Sequence, residues 1–216
     1  MTSLSNIRET NAAFVHLATP APVAVFVGGT SGIGEAMAHA FARHTKGNST
    51  IIIVGRNKVA AERILAALPS LTSVSGLGTG GETSINAARE FVECDATLMC
   101  NVDRCTKVIL AKHSKINYLV VSTGLLTLSG RDETSEGIDK KLAVHYYARW
   151  KFVHDLIPSL KRAKEAGEEG AVMSVLAAGD GGEIEMEDLG LKKTFSVKNA
   201  ALATPTYNDL MVEVKL

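Results

Sequence analysis

The chain has 216 residues, 46% of them hydrophobic, and 23 basic side chains balanced by 23 acidic ones. That length sets one domain as the default, and that apolar content suffices for a real core. Zero formal net charge leaves no electrostatic footprint for nucleic acid or an anionic membrane, and no apolar run approaches the roughly 18 residues that span a bilayer.

Residues 1–22, MTSLSNIRETNAAFVHLATPAP, carry no basic region followed by an apolar one, so they read as an arm or a short helix and not as a secretory signal. Residues 23–216 read as one domain in which strands and helices alternate. Val23–Val27 is an apolar strand that turns through Gly28, Gly29, Gly32 and Gly34 into a helix over 34–44. The β-branched run 51–54 is the second strand, followed by a helix over 58–68 and a Gly/Ser/Thr-rich loop over 70–83. Strands at 91–94 and 118–121 flank a helix over 97–114. A long helical region covers 135–166, with Pro158 predicted to bend or break it. The fifth strand is 171–175, residues 183–193 read as a polar loop, and the last helix is 196–214, with Pro205 predicted to break it or delay its start. Alternation with near-continuous apolar strands predicts a parallel sheet covered by helices on both faces.

The three cysteines, Cys94, Cys100 and Cys105, are odd in number and lack metal-site spacing. They predict reduced thiols in the cytoplasm and no metal centre.

Strand, glycine turn, helix is the context in which glycines signal dinucleotide binding: bare backbone approaches a pyrophosphate, and the helix N-terminus points N–H groups at it. The alternative is a turn whose glycines serve packing alone. The spacing here is Gly28-x-x-x-Gly32-Ile33-Gly34. It resembles the short-chain dehydrogenase/reductase signature, Thr-Gly-x-x-x-Gly-Ile-Gly, with Val27 in the Thr position. The segments VFVGGTSGIGE and TSEGIDKKLAVHYYARWKF look similar to atypical fungal members, some from secondary-metabolite clusters. The resemblance implies a three-layer Rossmann fold that is C-terminally incomplete, because the family usually continues for several dozen residues past the last helix. The fifth strand would then form an open sheet edge.

The resemblance also implies a cofactor site. Gly28, Gly32, Ile33 and Gly34 form the turn, and Thr30 and Ser31 add hydroxyls beside the phosphates. Arg56 lies 22 residues beyond Gly34, where an acidic residue would suit NAD. A guanidinium suits the 2′-phosphate, so NADP(H) is preferred over NAD(H); the alternative is a solvated loop arginine. Asp95 matches the family's adenine-binding Asp, or is a helix cap. Ser122, Thr123 and Gly124 stand in the last three positions of the family's Asn-Asn-Ala-Gly. His145 falls where an Asn serves a water-linked proton relay, or is an ordinary helix histidine.

In this family a Ser, a Tyr and a Lys do the chemistry. The Ser position holds Ala177, with Ser174 in a preceding Asn position. The Tyr and Lys positions hold Phe195 and Asn199 in one register and Ala201 and Pro205 in another, and Tyr207 has no Lys four residues on. Tyr147 and Lys151 have the spacing but precede the Ser region, so they read as ordinary helix content. Three functions follow: an NADP(H)-dependent oxidoreductase acting on a carbonyl or alcohol of a small molecule, a catalytically degenerate NADP(H) binder acting as sensor, scaffold or partner subunit, or an isomerase or cyclase using His145 or Tyr207. No catalytic residue is assigned. Family members often oligomerise through the long helices; Trp150 and Phe152 fall on such a face or, the preferred reading, in the core.

Overall fold

The computed structural model describes residues 3–13, 21–69 and 87–213; the loop expected over 70–83 lies outside them. Helix α1, Leu4–Ala13, occupies the N-terminal arm. Strands β1 (Val23–Val27), β2 (Thr50–Gly55), β3 (Arg89–Glu93), β4 (Tyr118–Val121) and β5 (Ala171–Ser174) form one all-parallel sheet in the order β3-β2-β1-β4-β5. Alternate strand residues feed two cores. Val25, Val27, Ile52, Val54, Leu119 and Val121 pack with α4 (Met99–Lys112) and α6 (Ala148–Glu165). Ala24, Phe26, Ile51 and Ile53 pack with α2 (Gly32–His44) and α3 (Lys58–Ala67). Burial on both faces explains why β1 and β2 are continuous apolar runs and do not alternate. β5 stands at the edge, with Val172 and Met173 41% and 52% exposed.

The long helical region departs from expectation in two ways. It starts at Lys140, not at 135: Gly137 has φ +74, and Asp139 caps α5 (Lys140–Leu142) by accepting from the Lys141 and Leu142 N–H groups. Pro158 sits inside α6 without interrupting it. The lost hydrogen bond and clash cost about 3 kcal/mol, and burial of Phe152, Leu156 and Leu160 offsets this at roughly 1.5–3 kcal/mol each. The rod is distorted elsewhere, in a π-helical turn at Ala143–Tyr147 joining α5 to α6. Side chains satisfy carbonyls of that turn: Arg149 Nε donates to Val144 O at 3.3 Å, and Asn208 Nδ2 donates to His145 O at 2.7 Å.

Pro205 likewise lies inside an unbroken helix, α7 (Val197–Glu213). Burial of Ala203 and Tyr207 holds the helix through the proline, and Gly182 N–H, donating to Leu202 O at 3.1 Å, ties the preceding loop to the same turn. The polar loop before α7 contains a 3₁₀ turn, Met186–Asp188, and is gathered by Asp188, which accepts from the N–H groups of Lys192, Lys193 and Thr194. Phe152 is buried as expected, but Trp150 is not in the core: it is 39% exposed and stacks on His154 at 4.7 Å.

Candidate cofactor cleft

A cleft of about 840 Å³ opens beyond the carboxyl ends of β1, β2 and β4. This is the topological switch point: from β1 the chain moves outward to β2 and β3, then returns to the other side as β4 and β5. All eleven residues expected to bind the cofactor line it: Gly28, Thr30, Ser31, Gly32, Ile33, Gly34, Arg56, Asp95, Ser122, Thr123 and Gly124.

The glycines have separate jobs. Gly28 has φ +83, and a Cβ there would lie 2.7 Å from Thr123 N. A Cβ on Gly34 would lie 2.5 Å from both Gly28 O and Ser122 Oγ. These two let the β1 turn press against the end of β4. Gly32 has φ +57 and open space where a side chain would project, at the N-terminus of α2. Ser31 caps that helix in extended backbone, with its hydroxyl making no cap hydrogen bond. A bare backbone, a free hydroxyl and a helix N-terminus facing open space fit a phosphate.

Other predicted residues also hold the walls of the cleft together. Ser122 Oγ donates to Val27 O at 3.1 Å, so it ties β4 to β1. The Thr30 side chain packs where a Gly55 Cβ would sit. Asp95 Oδ1 accepts from Thr97 N at 3.0 Å and Thr97 Oγ1 at 2.9 Å; it shapes the start of α4 while it lines the cleft.

Several cleft residues carry no sequence motif. Leu125, Leu126, Thr127, Asp132 and Lys140 line the wall beyond β4, and Lys140 Nζ donates to Asp132 Oδ2 at 2.8 Å. Their loop is pinned across the fold by Glu136, whose carboxylate accepts from Met99 N at 2.7 Å and Cys100 N at 2.9 Å. Only the fold brings that carboxylate to the N-terminus of α4, where the helix dipole favours it; it is held below the usual carboxylate range by these hydrogen bonds, against the opposing effect of desolvation.

His145 is also on the wall, and its Nε2 accepts from Leu125 N at 3.1 Å. That bond requires the Nδ1–H tautomer. Desolvation, with the Arg149 charge, pushes its pKa down to about 4. Between pH 6.5 and 4 the unfolded chain binds the proton and the folded chain does not, so stability falls as pH falls through that window, by about 3 kcal/mol in all. Urea melts should show this slope in the wild type and a flatter one in His145→Gln; parallel curves would refute a neutral His145.

The cleft lacks the family's chemical set. Ala177, Phe195 and Asn199 lie off its wall. Phe195 lies two residues before α7, and Ala201 and Pro205 of the other register lie within it, also off the cleft wall; the Phe195 ring lies 5.2 Å from Lys141 Nζ and 6.0 Å from Arg131 Cζ. Asn199 Nδ2 donates to Thr194 O. Tyr207 donates its hydroxyl to Leu189 O at 3.1 Å, away from the cleft. Tyr147 packs on the α7 cluster, whereas Lys151 pairs with Asp155 and Asp103.

Residues 22–179 match the family model for short chain dehydrogenases. The chain belongs to the short-chain dehydrogenase family. Oxidoreductase AN1596 of Emericella nidulans is 36% identical over 99% of this chain and 58% of its own length. Oxidoreductase andH of Emericella variicolor is 35% identical over 94% of this chain and 56% of its own. The chain thus spans little more than half the length of those relatives. Among solved structures, an alcohol dehydrogenase from Thermococcus sibiricus complexed with 5-hydroxy-NADP superposes with a TM-score of 0.61 at 18% identity, over 89% of this chain and 68% of that one. Among the described residues, no helix is long and apolar enough to cross a membrane.

Proposed function

We propose that this chain binds NADP(H) in preference to NAD(H) and serves in the cytoplasm as an NADP(H)-dependent oxidoreductase. Its substrate would be a carbonyl or alcohol of a small molecule, in the manner of secondary-metabolite enzymes. The observation that carries the reading is Arg56. It follows the end of β2 on the cleft wall, exposed to solvent, and no hydrogen bond or ion pair engages its guanidinium among the described residues. A 2′-phosphate is the partner that such a fork fits. Gly32 and Ser31 would take the pyrophosphate, Asp95 the adenine, and the Thr123–Gly124 end of β4 the nicotinamide half. The cofactor, when bound, supplies hydride exchange with a carbonyl carbon. The names of the fungal relatives and the NADP-type ligand of the structural neighbour support the same reading.

A second reading rests on Ala177, Phe195 and Asn199. Reduction of a carbonyl needs a proton donor, and alanine or phenylalanine cannot be one. His145 is neutral, and the nitrogen that faces Leu125 is an acceptor. The ionisable pair left on the wall beyond β4 is Lys140–Asp132. If that pair does not deliver the proton, the protein holds NADP(H) without ordinary turnover. Titration with NADPH and NADH, followed by nicotinamide fluorescence, tests the shared part; saturable NADPH binding at least tenfold tighter than NADH is expected. Oxidation of NADPH against a panel of carbonyls separates the two readings, since turnover on any compound establishes the first and none favours the second. Binding of neither nucleotide refutes both.

A further inference from the structure

Arg149 is 1% exposed, the largest fully buried side chain among the described residues. Its guanidinium has no carboxylate partner there. It donates to Val121 O at 2.9 Å, to Thr123 O, to Val144 O and to Ser174 Oγ at 2.7 Å, and Ser174 passes the chain on to Asn208 Oδ1. Buried arginines are ordinarily matched by an anion, because desolvating a lone charge is expensive. Here three carbonyl dipoles and one hydroxyl solvate it. Burial pushes its pKa down to about 10, so it remains a cation at neutral pH. Nearby charges do not cancel it: His145 is neutral, and Asp139 and Lys141, 4.0 Å apart, offset each other.

The position of this charge matters. Val121 and Thr123 bracket Ser122 at the end of β4, and Ser122, Thr123 and Gly124 line the cleft. On the reading above, Arg56 takes the adenosine half on the β2 side of the switch point, which leaves the nicotinamide half over the β4 side. We propose that Arg149 makes the cleft select the redox state of its nucleotide, holding NADPH over NADP⁺. This inference rests on the NADP(H) reading. The two nucleotides share every phosphate and differ by one positive charge on the nicotinamide ring. A buried cation beneath that ring opposes the charged form and is indifferent to the neutral one. Through an effective dielectric of about 20, a unit charge some 10 Å away changes the ratio of affinities on the order of tenfold.

The test is calorimetric binding of NADPH, NADP⁺ and 2′-phospho-ADP-ribose, which lacks the ring, to the wild type, Arg149→Met and Arg149→Lys. The wild type should bind NADPH about tenfold tighter than NADP⁺, and NADP⁺ no tighter than the ringless compound. Arg149→Met should bring the NADPH and NADP⁺ constants together. Arg149→Lys, which keeps the charge but not the fork, should preserve their ratio. A purely structural role would weaken all three ligands alike and leave the ratio unchanged in Arg149→Met, which overturns the proposal. If Arg149→Met does not fold, the wild type alone decides: equal constants for NADPH and NADP⁺ overturn it. That failure is distinct from failure of the NADP(H) reading, in which neither nucleotide binds and both ideas fall.

Discussion

Gly34→Ala is expected to weaken NADPH binding at least 100-fold, beyond the range of an ordinary fluorescence titration. One methyl group does this because there is nowhere to put it. It would lie 2.5 Å from the Gly28 carbonyl oxygen and equally close to Ser122 Oγ. The first is backbone of the turn and the second bridges β4 to β1, so relief requires the turn to lift from the sheet. Lifting it moves the α2 N-terminus and the open space at Gly32 together, and a phosphate site tolerates little displacement. Strain of this kind costs about 1–3 kcal/mol in a packed interior, so the melting temperature should fall by several degrees. Gly130→Ala is the control. It has open space around it and no positive φ, and its stability should stay within about 0.5 kcal/mol of wild type. Binding by Gly34→Ala within a few-fold of wild type would sink the tight-turn account.

Arg56→Ala is expected to lower the NADPH preference over NADH by roughly 10- to 100-fold, the range for losing a charge-assisted bond to a phosphate. The loss should fall on NADPH alone. NADH has no 2′-phosphate, so its dissociation constant should hardly move. Stability should not move either, because the side chain is exposed and carries no hydrogen bond or ion pair among the described residues. That last point separates the role from a packing effect: the variant melts like wild type yet discriminates less. Fluorescence titration with both nucleotides measures the ratio, and an unchanged ratio refutes the assignment of Arg56.

The catalytic region was legible only as an absence. Ala177, Phe195 and Asn199 could be read against the family pattern, but their surroundings could not. The cations over the Phe195 ring come from Arg131 and Lys141, which approach it only through the tertiary fold. Arg149 carried a signal that went unread: with Phe152, Leu156 and Ala163 it falls on the buried stripe of α6. A charge at such a position is either an error or a device. The helix ends and proline breaks were misjudged because local rules price the lost hydrogen bond. They do not price the burial of Phe152 and Leu156 in α6, or of Ala203 and Tyr207 in α7.

By itself, the sequence determined the order of strands and helices and the parallel sheet, and its resemblance to the family picked out eleven residues that line one cleft. These are local properties: two-sided burial makes a strand uniformly apolar, and a turn that presses on a neighbouring strand must be glycine. The turn at Gly28–Gly34 and the arginine after β2 were therefore readable without coordinates. Tertiary structure alone decided how the wall is held and charged. Glu136 reaches Met99 and Cys100, Asp132 and Lys140 meet on one side of the cleft, and Arg149 lies buried with no carboxylate partner among the described residues. Each of these depends on how loops and helices pack in space, over separations from 8 residues for Asp132–Lys140 to 37 for Met99–Glu136, and spacing along a sequence does not encode such distances.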